Sequence, residues 1–154
     1  AEAKKMADNS HTQLIQASIN HYVPAFLPGY EVLYVDDGDG DRITEEQKEI
    51  LAKAGLALEL GDAMPDVLLW NPEKSFLWVI EAVTSDGEVD SHKVAQMTNF
   101  SNRHNIQSIG FTTTYPTWKK FAERQKQTKA NLAINSHVWI LESGSTQLTV
   151  EGPH

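Results

Sequence analysis

At 154 residues, with 40% hydrophobic content and four Trp, the chain is long enough for one domain with a genuine core. It holds no Cys, which rules out disulfides and thiolate metal sites and agrees with a reducing cytoplasm. Its 21 acidic and 13 basic residues give a net charge of −8. That argues against holding nucleic acid by bulk charge alone. It does not exclude a nuclease, because acids gathered at a metal site count toward the total and the metal reverses the local sign.

No run of 18 apolar residues is present, so no transmembrane helix is expected. Residues 1–10 carry no apolar segment, do not resemble a signal peptide, and are expected to be disordered or foreign to the natural chain. Residues 11–154 are expected to form a single domain. From His11 to Phe26, Leu14, Ile15, Ala17, Ile19 and Tyr22 recur at helical spacing, with Ser10 as N-cap and Pro24 and Pro28-Gly29 as the stop. His11 and His21 are not i,i+4 partners and read as surface or capping residues rather than metal ligands.

Glu31–Val35 is a strand, followed by Asp and Gly interleaved from Asp36 to Arg42. A calcium loop would need Gly at its sixth position. Counted from Asp37 that position is Arg42, so a solvated turn is the simpler reading. Residues 43–58 read as a helix with a Thr44–Gln47 capping box, a stripe of Ile43, Ile50, Leu51 and Ala54, and Gly55 as its stop.

The informative stretch is Met64–Asp90. Val67–Trp70 and Phe76–Val83 are apolar runs separated by the turn-forming Asn71-Pro72-Glu73-Lys74-Ser75. Asp66 lies five residues before the turn begins and Glu81 six after it ends. Antiparallel pairing therefore places both carboxylates at the hairpin end away from the turn. The second strand is apolar on both faces, as a covered strand should be. A glutamate inside it costs several kcal/mol unless paired or metal-bound. Two convergent acids suit Mg²⁺ or Mn²⁺. The competing reading makes Asp66 a turn cap and gives Glu81 a buried Lys or Arg partner.

Asp90 or Ser91 then caps a helix with Val94, Ala95, Met97 and Phe100 inward. Gln107–Thr114 is a strand. A helix starts at Pro116 with Trp118, Phe121 and Ala122 inward and Lys119, Lys120, Arg124, Lys126 and Lys129 outward. His137–Leu141 is a strand, and Gln147–Val150 a last edge strand. Successive β-α-β units predict parallel neighbours and an α/β fold, a mixed sheet with helices on both faces.

A Pro-Asp entering one strand and a Glu near the end of the next is the pattern of PD-(D/E)xK nucleases. Tyr22–Gly29, Glu31–Asp37, Met64–Trp70 and above all Trp78–Asp90 (WVIEAVTSDGEVD) resemble the catalytic domain of the BsuBI/PstI family of type II restriction endonucleases. The resemblance continues through Gly110–Pro116 and His137–Ile140. It implies a restriction-endonuclease-like fold and Mg²⁺-dependent (or Mn²⁺-dependent) hydrolysis of double-stranded DNA, with Asp66, Glu81 and the Ala82 carbonyl as metal ligands. It also implies a cytoplasmic protein, a homodimer if the target is palindromic, and a further N-terminal DNA-reading region in the family's members.

The motif's Lys is here Val83, and the family tends to lack it. Lys93, then His92, are the candidates to replace it, and Thr84 and Ser85 are candidates to position water or phosphate. Lys93 could equally be a solvated helix residue. Many such nucleases draw a further acid from their first helix. Gln13, Gln16 and Asn20 stand in the predicted helix instead, leaving Asp37 as the substitute metal ligand. The family's loop after EAVTS tends to carry Pro, where Glu88 and Ser91 stand here. Lys93, Arg103, Lys119, Lys120 and Arg124 are candidate phosphate contacts, the last three serving equally well as a solubility face. The alternative function is a catalytically inactive nuclease fold that binds nucleic acid or protein.

Overall fold

The structure, a computed structural model, describes residues 2–36, 45–57, 64–126 and 131–152, with side chains from Ser10 onward and, in the second long helix, from Lys48. Asp37, the calcium-loop candidate and the Thr44 end of the capping box lie outside those residues. Six strands form one sheet in chain order: β1 (Glu31–Val35), β2 (Val67–Asn71), β3 (Phe76–Ala82), β4 (Ser108–Tyr115), β5 (His137–Ile140) and β6 (Gln147–Thr149). The pairs β1–β2, β2–β3 and β5–β6 are antiparallel, while β3–β4 and β4–β5 are parallel. The helices are α1 (Glu2–Ala17), α2 (Val23–Phe26), α3 (Glu45–Lys53), α4 (Ser91–Arg103) and α5 (Trp118–Gln125).

Helices cover both faces, as expected. Leu14, Ile15, Tyr22, Val23 and Leu27 of the α1–α2 segment pack on Val67, Leu69, Ile80, Ala82 and Trp139. Leu51 and Leu56 from the α3 region, with Met97 and Phe100 of α4, pack on Leu33, Leu68, Leu77, Val79 and Phe111. Side chains alternate across a strand. Ile80 and Ala82 face α1, so Glu81 between them faces α4. Val67 pairs with Ile80, which sets Asp66 beside Glu81 on that same face.

Several boundaries differ from the sequence reading. α1 begins at Glu2, so Ser10 lies inside the helix and caps nothing. Pro24 does not stop the helical run. A π turn at Ser18–Tyr22 precedes α2, and the Val23 N–H bonds the Ser18 carbonyl. Pro24 then falls in the first turn of α2, where a missing N–H costs little, and the run ends at Leu27. In α4 Asp90 is the N-cap, accepting the Lys93 N–H at 2.8 Å, and Ala95 is exposed rather than buried. In α5 the cap is Thr117, and Trp118 (38% exposed) and Ala122 turn outward. Ile50 of α3 is likewise exposed, because Leu51 takes the core position.

Candidate active site at the end of the hairpin

Asp66 enters β2 and Glu81 stands one residue before the end of β3. They lock each other through the backbone. The Asp66 N–H donates to Glu81 Oε1 (2.9 Å), and the Ala82 N–H donates to Asp66 Oδ2 (2.8 Å). The Asp66 carbonyl in turn accepts the Asp36 N–H (2.8 Å), tying the end of β1 to the site. Among the described residues no hydrogen bond engages Asp66 Oδ1 or Glu81 Oε2.

Glu81 is 8% exposed. Burial, and then the Asp66 charge, push its carboxyl well above the ordinary range, while Lys93, the Asp66 N–H and His11 pull it back. The strand therefore holds a carboxylate where its charge is costly, beside a second one. The alternative that Glu81 pairs with a buried Lys or Arg is not what the fold builds. Lys93 on the first turn of α4 is half-buried and acts on Glu81 through its charge, with no ion pair among the described residues.

The donor set fits a hard divalent cation. Each carboxylate has one oxygen outside the backbone bonds, and the Ala82 carbonyl lies at the same strand end. No three His, Asp or Glu side chains among the described residues gather to hold an ion unaided. Mg²⁺ does not require such a cage, because it commonly takes one or two carboxylates with waters and substrate phosphates.

The other candidates divide. Thr84 and Ser85 line a cleft of about 430 Å³ with Ser10, Gln13 and Leu14 of α1, Pro116, Lys120 and Leu141. The cleft opens at the carboxyl ends of the parallel strands, where α/β sheets bind ligands. His92 is exposed beside Lys93, and among the described residues no hydrogen bond or ion pair joins it to the acids. Lys119 is exposed on α5, and its neighbour Lys120 turns into the cleft. Arg103 lies ten residues beyond Lys93, about 15 Å along the axis of α4, over the Phe100 ring.

Arg124 is not a free phosphate contact. It makes a two-pronged pair with buried Glu88, Nε to Oε2 at 2.8 Å and Nη2 to Oε1 at 2.7 Å, while the Tyr115 hydroxyl donates to Oε2 at 3.2 Å. Glu88, at a position where Pro was expected, thus anchors the loop between β3 and α4. The Val89 N–H adds a bond to Thr113 Oγ1 at 3.1 Å. Val83, at the position of the motif's Lys, is fully buried with Tyr115, Val138 and Ile140, so that position belongs to the core.

Two neighbours of the acid pair escaped the sequence reading. His11 Nε2 lies 3.2 Å from Asp66 Oδ2. The Asp66 bond raises the pKa of the half-buried imidazole against the lowering effect of burial, and the Ala82 backbone and the Asp36 charge raise it further. Asp36, just past the end of β1, therefore bears on the site through its charge. With α1 starting at Glu2, the first helix also includes two acids, Glu2 and Asp8.

A family model described as the BsuBI/PstI restriction endonuclease domain matches residues 1–153. The chain belongs to the BsuBI/PstI restriction endonuclease domain family. Among curated proteins, the type II restriction enzyme BsuBI of Bacillus subtilis is 28% identical over 154 residues, covering 99% of this chain and 47% of that enzyme. This BsuBI/PstI-family domain thus spans about half the length of that relative. A solved structure of the SdaI restriction endonuclease matches with a TM-score of 0.75 and 21% identity, over 92% of this chain and 43% of the other. At that identity the likeness shows the fold: the mixed α/β sheet is a restriction-endonuclease fold.

Proposed function

We propose that the domain is the catalytic part of a type II restriction endonuclease that hydrolyses phosphodiester bonds of double-stranded DNA with Mg²⁺, or Mn²⁺ in its place. The observation that carries this reading is the Asp66–Glu81 pair, two carboxylates held side by side at a strand end, each with one oxygen that no hydrogen bond engages among the described residues. Asp66, Glu81 and the Ala82 carbonyl would hold the ion. When bound, it supplies polarisation of the phosphoryl oxygen and a lowered pKa for the attacking water.

The chain's own groups do the positioning. Lys93, half-buried and capped into α4 by Asp90, brings a cation to the face of Glu81, where charge builds on the phosphoryl group. It is the better substitute for the motif's Lys than His92. Thr84, Ser85 and Lys120 line the adjoining cleft and would take the DNA backbone, with Lys119 and Arg103 as outlying phosphate contacts. Asp37 remains a proposed additional ligand. The reaction would run in the cytoplasm, on cellular or invading DNA. A palindromic target would require a homodimer, and a further region would read the sequence.

The assay is supercoiled plasmid incubated with the protein and millimolar Mg²⁺ or Mn²⁺. Metal-dependent nicking or linearisation is expected, and no cleavage with either ion would contradict the reading. The cleft gives a second prediction. In EDTA, where no cutting occurs, Lys120→Ala should weaken binding of a labelled duplex about equally for all sequences and reduce the slope of log affinity against log salt by about 1. An unchanged slope would remove Lys120 from the interface. The buried Val83 favours the second reading, an inactive nuclease fold that binds DNA, and the plasmid assay separates the two.

A further inference from the structure

One polar stripe of the first helical segment, running from α1 into the π turn that follows it, faces the sheet. His11, Ile15, Ser18 and Tyr22 follow one another at helical spacing along it. Ile15 is buried. The other three bond to the sheet or its end. Tyr22 Oη lies 2.7 Å from Thr112 Oγ1, and Ser18 Oγ donates to Thr114 Oγ1 at 3.0 Å. Thr114 is the register partner of Ala82. The last rung of the same ladder is His11 against Asp66 Oδ2, at 3.2 Å. The helix is therefore pinned at Thr112 and Thr114 in a register that delivers one imidazole nitrogen to one carboxylate oxygen.

That oxygen already accepts the Ala82 N–H. Two donors converging on Oδ2 fix the plane of the carboxylate and leave Oδ1 as its outward oxygen. The ring of His11 also reaches the backbone of Ala82, the residue whose carbonyl is the third proposed ligand. We infer that His11 is a positioning residue of this site: α1 uses its imidazole to hold the Asp66 carboxylate in the orientation that offers Oδ1 to a divalent ion. This rests on the metal-dependent reading above. It supplies a role for the first helix in which a histidine orients a ligand rather than an acid serving as one. Partners that orient metal ligands in this way typically change affinity 10–100-fold when removed.

The test is a Mn²⁺ titration of the intact protein, followed by the EPR signal of the free ion, with thermal unfolding in EDTA as a separate readout. His11→Ala should weaken Mn²⁺ affinity by about 10–100-fold. His11→Gln keeps an N–H donor and should recover part of that loss. It also serves if His11→Ala fails to fold. A docking role alone would lower the melting temperature in EDTA and leave the affinity of the folded variants at the wild-type value, which would overturn the inference. A wild-type protein that takes up no Mn²⁺ would instead overturn the metal reading itself and the inference with it.

Discussion

Asp66→Asn and Glu81→Gln are each expected to lower plasmid cleavage by roughly three orders of magnitude without unfolding the domain. A divalent ion is worth several kcal/mol to a phosphoryl transition state, and each 1.36 kcal/mol is about a factor of ten. The second half of this expectation distinguishes a site from a structural pair. Glu81 is buried beside another carboxylate, and both burial and that neighbour oppose its charge. Replacing it with the neutral amide removes this opposition and keeps a side-chain oxygen to accept the Asp66 N–H. Glu81→Gln should therefore melt at or above the wild-type temperature in EDTA while losing cleavage, as expected where a site is kept at the expense of stability. A variant that melts well below wild type would show that Glu81 serves the fold. One that cuts as fast as wild type would show that it does not serve the reaction.

The second large effect lies away from the acids. Arg124→Ala should destabilise the domain by about 3–5 kcal/mol, because it strands the Glu88 carboxylate inside the protein. For a chain of this size that is roughly a 10 °C fall in melting temperature. Glu88 has a side-chain exposure of only 3%, and Arg124 17%. The double replacement Glu88→Gln with Arg124→Met should recover most of the loss, since neither charge is then left alone. Urea unfolding of the three proteins measures both quantities. A loss under about 1 kcal/mol for Arg124→Ala would place the pair among ordinary surface bridges. The consequence for function is positional: this pair fixes the loop that runs from Glu81 to Lys93, so cleavage should fall with it.

The hairpin was the most legible part of the molecule. Its register follows from a turn of defined chemistry and a side-chain period of two, so counting outward from Asn71 and Ser75 places Asp66 beside Glu81. The β-α-β order likewise gave the parallel pairs β3–β4 and β4–β5, and Asp90 was readable as a cap from its place before the α4 stripe. What escaped was decided by distant contacts. His11 meets Asp66 across 55 residues and Arg124 meets Glu88 across 36, and no local pattern encodes either. A basic residue in a short amphipathic helix looks the same in sequence whether it faces water or a buried carboxylate. Pro24 misled for a different reason: a stop signal assumes α geometry, and the π turn before it places the proline where a first-turn residue belongs. Trp118 and Ala122 turn outward because α5 packs on the end of the sheet through Phe121 and Arg124, with the Trp118 indole N–H bonded to Ser143 Oγ at 2.7 Å.

Anomalous diffraction from crystals soaked in Mn²⁺ decides whether the end of the hairpin is a divalent-metal site. A single strong peak is expected within about 2.2 Å of one oxygen of each of Asp66 and Glu81 and of the Ala82 carbonyl. A peak in the Asp37–Asp41 segment with none between Asp66 and Glu81 would contradict it.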